Sequence, residues 1–148
     1  MPERETLRLA AKDKAEGKSP STQAGEFVHE EIEHIREGKH GARSAKQAIA
    51  IGLSKARRAG VKLPPPRKGE ASKQTRDQAK RDVKKGKKAA RKKPSAKRSR
   101  ATLNALKREG HSAASKTALS RHARKAAAKR SAASRSRSAR KAAATRKK

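Results

Sequence analysis

Ser21-Thr22-Gln23-Ala24-Gly25-Glu26-Phe27-Val28-His29-Glu30-Glu31-Ile32-Glu33-His34-Ile35-Arg36-Glu37-Gly38 is the stretch on which the fold turns. Ala24, Phe27, Val28, Ile32 and Ile35 recur at 3–4 residue spacing, the period of a helix with one apolar face. The spacing predicts a helix over about 22–37, capped by Ser21 or Thr22 and stopped by Gly38. Before it, residues about 5–16 are fair helix formers ending at Gly17, and Lys18-Ser19-Pro20-Ser21 reads as a loop. After it, Ser44 and Gln47 fit a capping box, in which the Gln side chain reaches back to the cap amide. Ala45, Ile49, Gly52, Leu53 and Ala56 form the stripe of a third helix, about 45–59, closed by Gly60. Small residues at 45, 48, 52 and 56 permit close approach of a second helix. Residues 1–62 are therefore expected to form a small all-α module of about three short helices. A module of about 60 residues is near the lower limit for independent stability. Self-association through the 22–59 helices, or DNA binding, is expected to complete it.

Leu63-Pro64-Pro65-Pro66 ends this region, because consecutive prolines favour polyproline II and cannot continue a helix. Residues 63–70 read as a Pro-rich linker. The chemistry changes across it. Residues 1–66 hold 13 basic and 9 acidic residues, net +4; residues 67–148 hold 31 and 4, net +27. Of the 16 Val, Ile, Leu, Met and Phe residues in 148, 12 lie before the boundary. So few large apolar residues beside so much charge predict no single large core and a largely disordered, helix-prone basic arm. Within it, 71–130 is read as a basic second repeat and 131–148, with Ser134-Arg135-Ser136-Arg137-Ser138, as a disordered basic tail.

The repeat is degenerate but collinear. Thr6, Ala10, Asp13, Gly17 and Lys18 match Thr75, Ala79, Asp82, Gly86 and Lys87 at a constant offset of 69. Pro20-Ser21 is echoed by Pro94-Ser95, Arg36-Glu37-Gly38 by Arg108-Glu109-Gly110, and Ser44 by Ser115. Conserved order in both halves points to a possible internal duplication. In the second copy, Ser99 or Thr102 is expected to cap a helix ending at Gly110, and Ser112 or Ser115 one through about Lys129.

A formal net charge of +31 calls for a polyanion, and Lys/Arg contacts to nucleic acid are driven by counterion release. The expected contacts are to phosphate: Lys39, Arg43, Lys46, Arg57 and Arg58 in the module; Lys84, Lys85, Lys87, Lys88, Arg91, Lys92, Lys93, Lys97, Arg98, Arg100, Lys107 and Arg108 after the linker; and Arg121, Arg124, Lys125, Lys129, Arg130, Arg135, Arg137, Arg140 and Lys141 toward the end. If ten of them each neutralise a phosphate, log K falls with log salt at a slope of about −9. Lys39, Arg43 and the amides near Ser44 are a candidate single-phosphate site at a helix N-terminus. Phe27 is the one aromatic besides histidine and sits on the apolar stripe, so base stacking is disfavoured. Double-stranded DNA read with little sequence preference is the expected partner. An RNA- or ribosome-associated protein, and an interaction adaptor with a basic tether, are the alternatives. The second and third helices resemble a helix-turn-helix in outline, with Lys46, Gln47, Ala50, Ser54 and Arg57 on the outer face. The loop between them is longer than the usual turn.

Other chemistry is disfavoured. Without cysteine there is no disulfide, thiolate metal site or cysteine nucleophile. His29-Glu30-Glu31-Ile32-Glu33-His34 misses the His-Glu-x-x-His spacing by one residue. Positions five apart lie about 140° apart on a helix, so those two imidazoles do not converge, and no metal is expected there. Spacing of four instead pairs His29 with Glu33 and Glu30 with His34 as ordinary surface pairs, or leaves these acids to bind a basic segment. Gly17-Lys18-Ser19 lacks the upstream glycine and strand of a P-loop. No nucleophile–base–acid set is recognisable, so neither an enzyme nor a cofactor is expected. No apolar run approaches the roughly 18 residues that cross a membrane, and residues 1–15 carry no secretory signal. A cytoplasmic, nucleoid-associated location is expected.

Ser19-Pro20-Ser21-Thr22-Gln23-Ala24-Gly25-Glu26-Phe27-Val28 and Arg36-Glu37-Gly38-Lys39-His40-Gly41-Ala42-Arg43-Ser44 resemble a family of small bacterial proteins carrying a domain of unknown function. The resemblance continues through Lys46-Gln47-Ala48-Ile49-Ala50-Ile51-Gly52-Leu53-Ser54-Lys55-Ala56-Arg57-Arg58-Ala59-Gly60-Val61, and 101–127 is also similar. It implies no activity. The arm is similar in composition to the Lys/Ala/Pro-rich tails of linker-histone-like bacterial nucleoid proteins.

Overall fold

The computed structural model describes residues 2–87 and 95–146, and among these it is all-helical, with no β-strand. Its α-helices are α1 (Arg4–Ala15), α2 (Pro20–Arg36), α3 (Ala45–Ala59), α4 (Lys73–Gly86), α5 (Ala96–Lys107), α6 (Lys116–Ala128) and α7 (Ala132–Arg146), with a 3-10 turn at Ser112–Ala114. The first three helices lie where periodicity places them. α2 begins two positions before the expected start at about 22, because Pro20 at the first helical position forgoes an N–H that would be orphaned anyway. Ser19 is its cap, with Oγ accepting from the amide of Thr22. Gly17, Gly38 and Gly60 follow or close the first three helices at φ of 70°, 75° and 100°, a left-handed conformation that a Cβ disfavours.

α2 and α3 are the centre of the molecule. They approach so closely at Gly52 that a Cβ there would lie 2.7 Å from Val28 Cα. One small core joins Ala10 of α1 to Ala24, Phe27 and Ala56, with Leu53, Val61 and Leu63 against it. Phe27 is completely buried.

The second half departs from expectation. The helix-prone arm was expected to be largely disordered when free; α4 to α7 are formed, and the tail expected to be disordered over 131–148 contains α7. Alanine explains the helicity, since it carries the lowest helix cost of any residue. Tertiary contact explains the docking. Ala113, Ala114 and Leu119 close a second core with Ile32, Ile35, Ala42 and Ala48. The loop after α2 donates two backbone hydrogen bonds to the end of α5 and the turn after it: Gly41 N to Leu106 O (2.9 Å) and Ala42 N to Gly110 O (3.0 Å). Gly41 is required there, because a Cβ would fall 1.9 Å from Glu109 O. The second half covers part of the apolar face of the first.

α4 lies along α3. Asp82, 1% exposed, accepts from Ser54 Oγ (2.6 Å), Arg58 Nε (2.7 Å) and Gln78 Nε2 (3.0 Å). A Cβ on Gly86 would lie 2.1 Å from Arg57 O, so the helices touch through backbone at that end. The repeat has structural counterparts. Ala10 and Ala79 are both buried, as are Asp13 and Asp82, and Ser44 and Ser115 both cap helices with their side chains. The partners differ: Asp13 holds Lys18 three residues beyond its own helix, Asp82 holds α3 of the other half. The second-copy caps fall at Ser95, without a side-chain bond, and at Ser115, whose Oγ accepts from Ala118 N.

Candidate nucleic-acid interface

The expected phosphate-contacting residues divide into three groups by environment. Arg57 is not available. It is 7% exposed, its Nη2 donates to Pro64 O (3.3 Å), and burial holds its guanidinium below the usual arginine range, opposed by Asp82. Lys39, Arg43 and Arg58 reach solvent but hold carboxylates. Lys39 Nζ lies 2.8 Å from Glu37 Oε2 and 3.2 Å from Glu3 Oε1, and Arg43 meets Glu109 at 3.4 Å. Arg58 meets buried Asp82. At the N-terminus of α3, Gln47 N donates to Ser44 Oγ, and Arg43 N, just before the cap, donates to Gln47 Oε1 (2.8 Å). Ser44 is thus a helix cap, with the Gln47 side chain reaching one residue past the usual box position. The outer face expected of a recognition helix is also partly covered, since Ser54 and Arg57 lie under α4 and the 61–66 segment.

The third group is exposed and unneutralised. Lys46, Lys84, Lys85, Lys87, Lys97, Arg98, Arg100, Lys107, Arg108, Arg121, Arg124, Lys125, Lys129, Arg137, Arg140 and Lys141 are all exposed, and among the described residues none is in an ion pair. Lys88, Arg91, Lys92 and Lys93 lie outside the described residues. Arg130 and Arg135 are exposed but brace the α6–α7 corner. Arg130 donates to Ser134 and Ser138, and Arg135 Nη1 to Ala127 O.

α6 carries the most regularly spaced part of this surface. Ser115 caps it, and Ala118, Leu119 and His122 turn inward, half-buried. Its outer face therefore presents Lys116, Thr117, Ser120, Arg121, Arg124 and Lys125, which line one shallow groove. Successive members are four residues apart in two rows, so four cations and two hydroxyls share a helical face. Lys116 was missed from sequence. Its signal was the Ser115 cap, which puts Lys116 at the first helical position and in register with Ser120 and Arg124. On α7 the cations spread around the whole helix, without a buried stripe.

Negative charge collects elsewhere. Glu3, Glu5, Glu26, Glu33 and Glu37 surround a hollow between α1 and α2. Beneath it Glu30 and Glu31 share Lys55, whose Nζ lies 3.0 Å from Glu30 Oε1 and 2.7 Å from Glu31 Oε2. Burial would raise the Glu30 carboxyl, but Thr6, Lys55 and the amide of Glu3 outweigh it and hold that carboxyl below the ordinary range. Burial would likewise lower Lys55, and its two carboxylates more than reverse this. The His29–Glu33 pair (3.9 Å) is at the surface as expected, whereas the Glu30–His34 pair (4.0 Å) is not, because Glu30 is buried.

Among the described residues, no helix is long and apolar enough to cross a membrane. Residues 14–68 match the model of a family of unknown function (DUF6496). The matched segment spans the end of α1, all of α2 and α3, and the proline-rich connection. No curated protein and no solved structure matches the chain.

Proposed function

We propose that this chain binds nucleic acid, double-stranded DNA foremost, through its phosphate backbone and with little sequence preference, as a nucleoid-associated packaging protein of the cytoplasm. The observation that carries the reading is the set of exposed, unneutralised cations on α5, α6 and α7, in a chain of net charge +31. Each phosphate contact releases condensed counterions, so affinity comes from charge density rather than from a shaped pocket. The α6 face adds order, because its four cations are held at helical spacing and need little rearrangement to meet successive phosphates. Cations on all sides of α7 suit contact with more than one duplex, which is the geometry of bridging and condensation. Nothing in this reading requires catalysis or a cofactor. Two copies of one helical unit, the second made basic, account for the collinear repeat: one copy supplies most of the core and the other most of the charge.

The test is a shift assay on unrelated duplexes across a salt series, using the full chain and an Arg121→Gln, Arg124→Gln, Lys125→Gln variant. The full chain should bind all duplexes alike, with log K falling linearly in log salt. Losing three phosphate contacts should flatten the slope by about 2.7. Affinity indifferent to salt, or unchanged in the variant, would refute the assignment of this face. Competition with structured RNA at matched salt decides between the two nucleic acids.

A further inference from the structure

A second cluster, buried and unrelated to the cationic surface, carries an inference of its own. Glu31, His34 and His40 bring a carboxylate oxygen and two imidazole nitrogens within 4.8 Å of one another. Glu31 and His34 are three residues apart on α2, hence on one face, and His40 folds back from the loop that follows. The Glu31 side chain is 1% exposed and that of His40 10%.

The hydrogen bonds define what each atom offers. His40 Nδ1 lies 3.2 Å from Gly41 O, an acceptor only, so Nδ1 donates there and, in the neutral ring, Nε2 presents a lone pair. That Nε2 faces Glu31 Oε1 at 3.4 Å, and Oε1 meets no hydrogen-bond donor. With His40 neutral, two lone pairs confront each other in a buried place. Lys55 reaches Oε2, but it is one cation shared between two buried carboxylates. Buried acceptors of this kind are costly unless a cation lies between them. His34 is held from outside, with Nε2 2.8 Å from Glu3 Oε1, which leaves Nδ1 for an inner ligand. A carboxylate on the outer nitrogen is how ligating histidines are commonly oriented.

We propose that Glu31, His34 and His40 form a binding site for one divalent transition-metal ion, Zn2+ by the chemistry of its donors. Two imidazoles and a carboxylate are a zinc donor set, with water completing the tetrahedron. Tetrahedral ligands at zinc bond lengths stand about 3.4 Å apart, and the Glu31–His40 edge already has that length. His40 adjoins Gly41 and Ala42, whose amides clamp the second half of the chain, so an ion here ties that loop to α2. His29 and His34, which the helical period holds apart, are not the pair used: the His29 side chain is 75% exposed and outside the cluster.

The experiment titrates Zn2+ alone, and separately Co2+ alone, into full-length protein stripped with chelator. One equivalent should bind, raise the unfolding temperature and give Co2+ the strong visible bands of four-coordination. His40→Gln and Glu31→Gln should each weaken binding at least tenfold, and His29→Ala should leave it unchanged. A measurement on the unsubstituted chain guards against misfolded variants: Zn2+ should shift the imidazole nitrogen resonances of His34 and His40. The site is refuted if no stoichiometric binding occurs, if His40→Gln binds as tightly as the parent, or if His29, His111 or His122 shift instead.

Discussion

Charge burial in the first half comes down to single atoms. Glu30 is almost fully buried yet ionised, because Thr6, Lys55 and the Glu3 amide together outweigh its desolvation. Its folded-state pKa is depressed below the reference value of 4.5. The stability it contributes is therefore complete above that value and is lost as pH falls through the lower folded pKa. Lys55 is shifted the other way, so its share is present below its unfolded pKa and lost only as strong alkali titrates it. Urea midpoints followed downward from pH 6 should hold level to near pH 5 and then decline. In Glu30→Gln that acid limb should be shallower than in the parent; an identical decline would show that other carboxylates govern it.

At the scale of elements, the question is what holds a helix as polar as α4. It has two buried residues, Ala79 and Asp82, and burial of one alanine cannot dock fourteen residues. Asp82 does most of it, by accepting from Ser54 and Arg58 of α3 and from Gln78 of its own helix. Arg58 is half exposed, so its ion pair is screened and the larger loss on deletion is the half-buried Ser54 hydroxyl left without its acceptor. Asp82→Ala should cost about 1–3 kcal/mol. Hydrogen exchange should locate the loss, with faster exchange in α4 and little change in α2. Uniform change across both helices would mean that α4 is not held through this residue. Legibility at this scale was uneven. Asp82 was visible as the repeat partner of Asp13, but its attachment to Ser54 and Arg58 was not, because equivalent positions in a repeat need not keep equivalent neighbours.

For the whole molecule, the two halves are one packing unit at the 41–42 to 106–114 joint. Ile32 and Ile35 are covered in part by Ala113, Ala114 and Leu119, which belong to the basic half. A chain ended after Pro66 would return that surface to water and lose two backbone hydrogen bonds. It should unfold at lower urea than the full chain, with a broader transition, or associate. A 1–66 fragment as stable and monomeric as the parent would show that the joint contributes nothing. For the proposed DNA binding, such a fragment would confound charge with folding, which is why substitutions on the α6 face are the cleaner probe.

Periodicity, capping residues and glycine stops by themselves determined where the first three helices lie. The charge asymmetry about the triple proline determined where cations are exposed. These are local or additive properties, and each can be read from a short window of sequence. How the basic half docks on the first was decided by tertiary structure alone. Its alanines are too small to announce a core, yet Ala113 and Ala114 are buried because α2 and α3 offer a surface their size fits. The same holds for the burial of Arg57 and the meeting of Glu31, His34 and His40. Both depend on chain segments brought together by folding, and no spacing along one helix encodes that encounter.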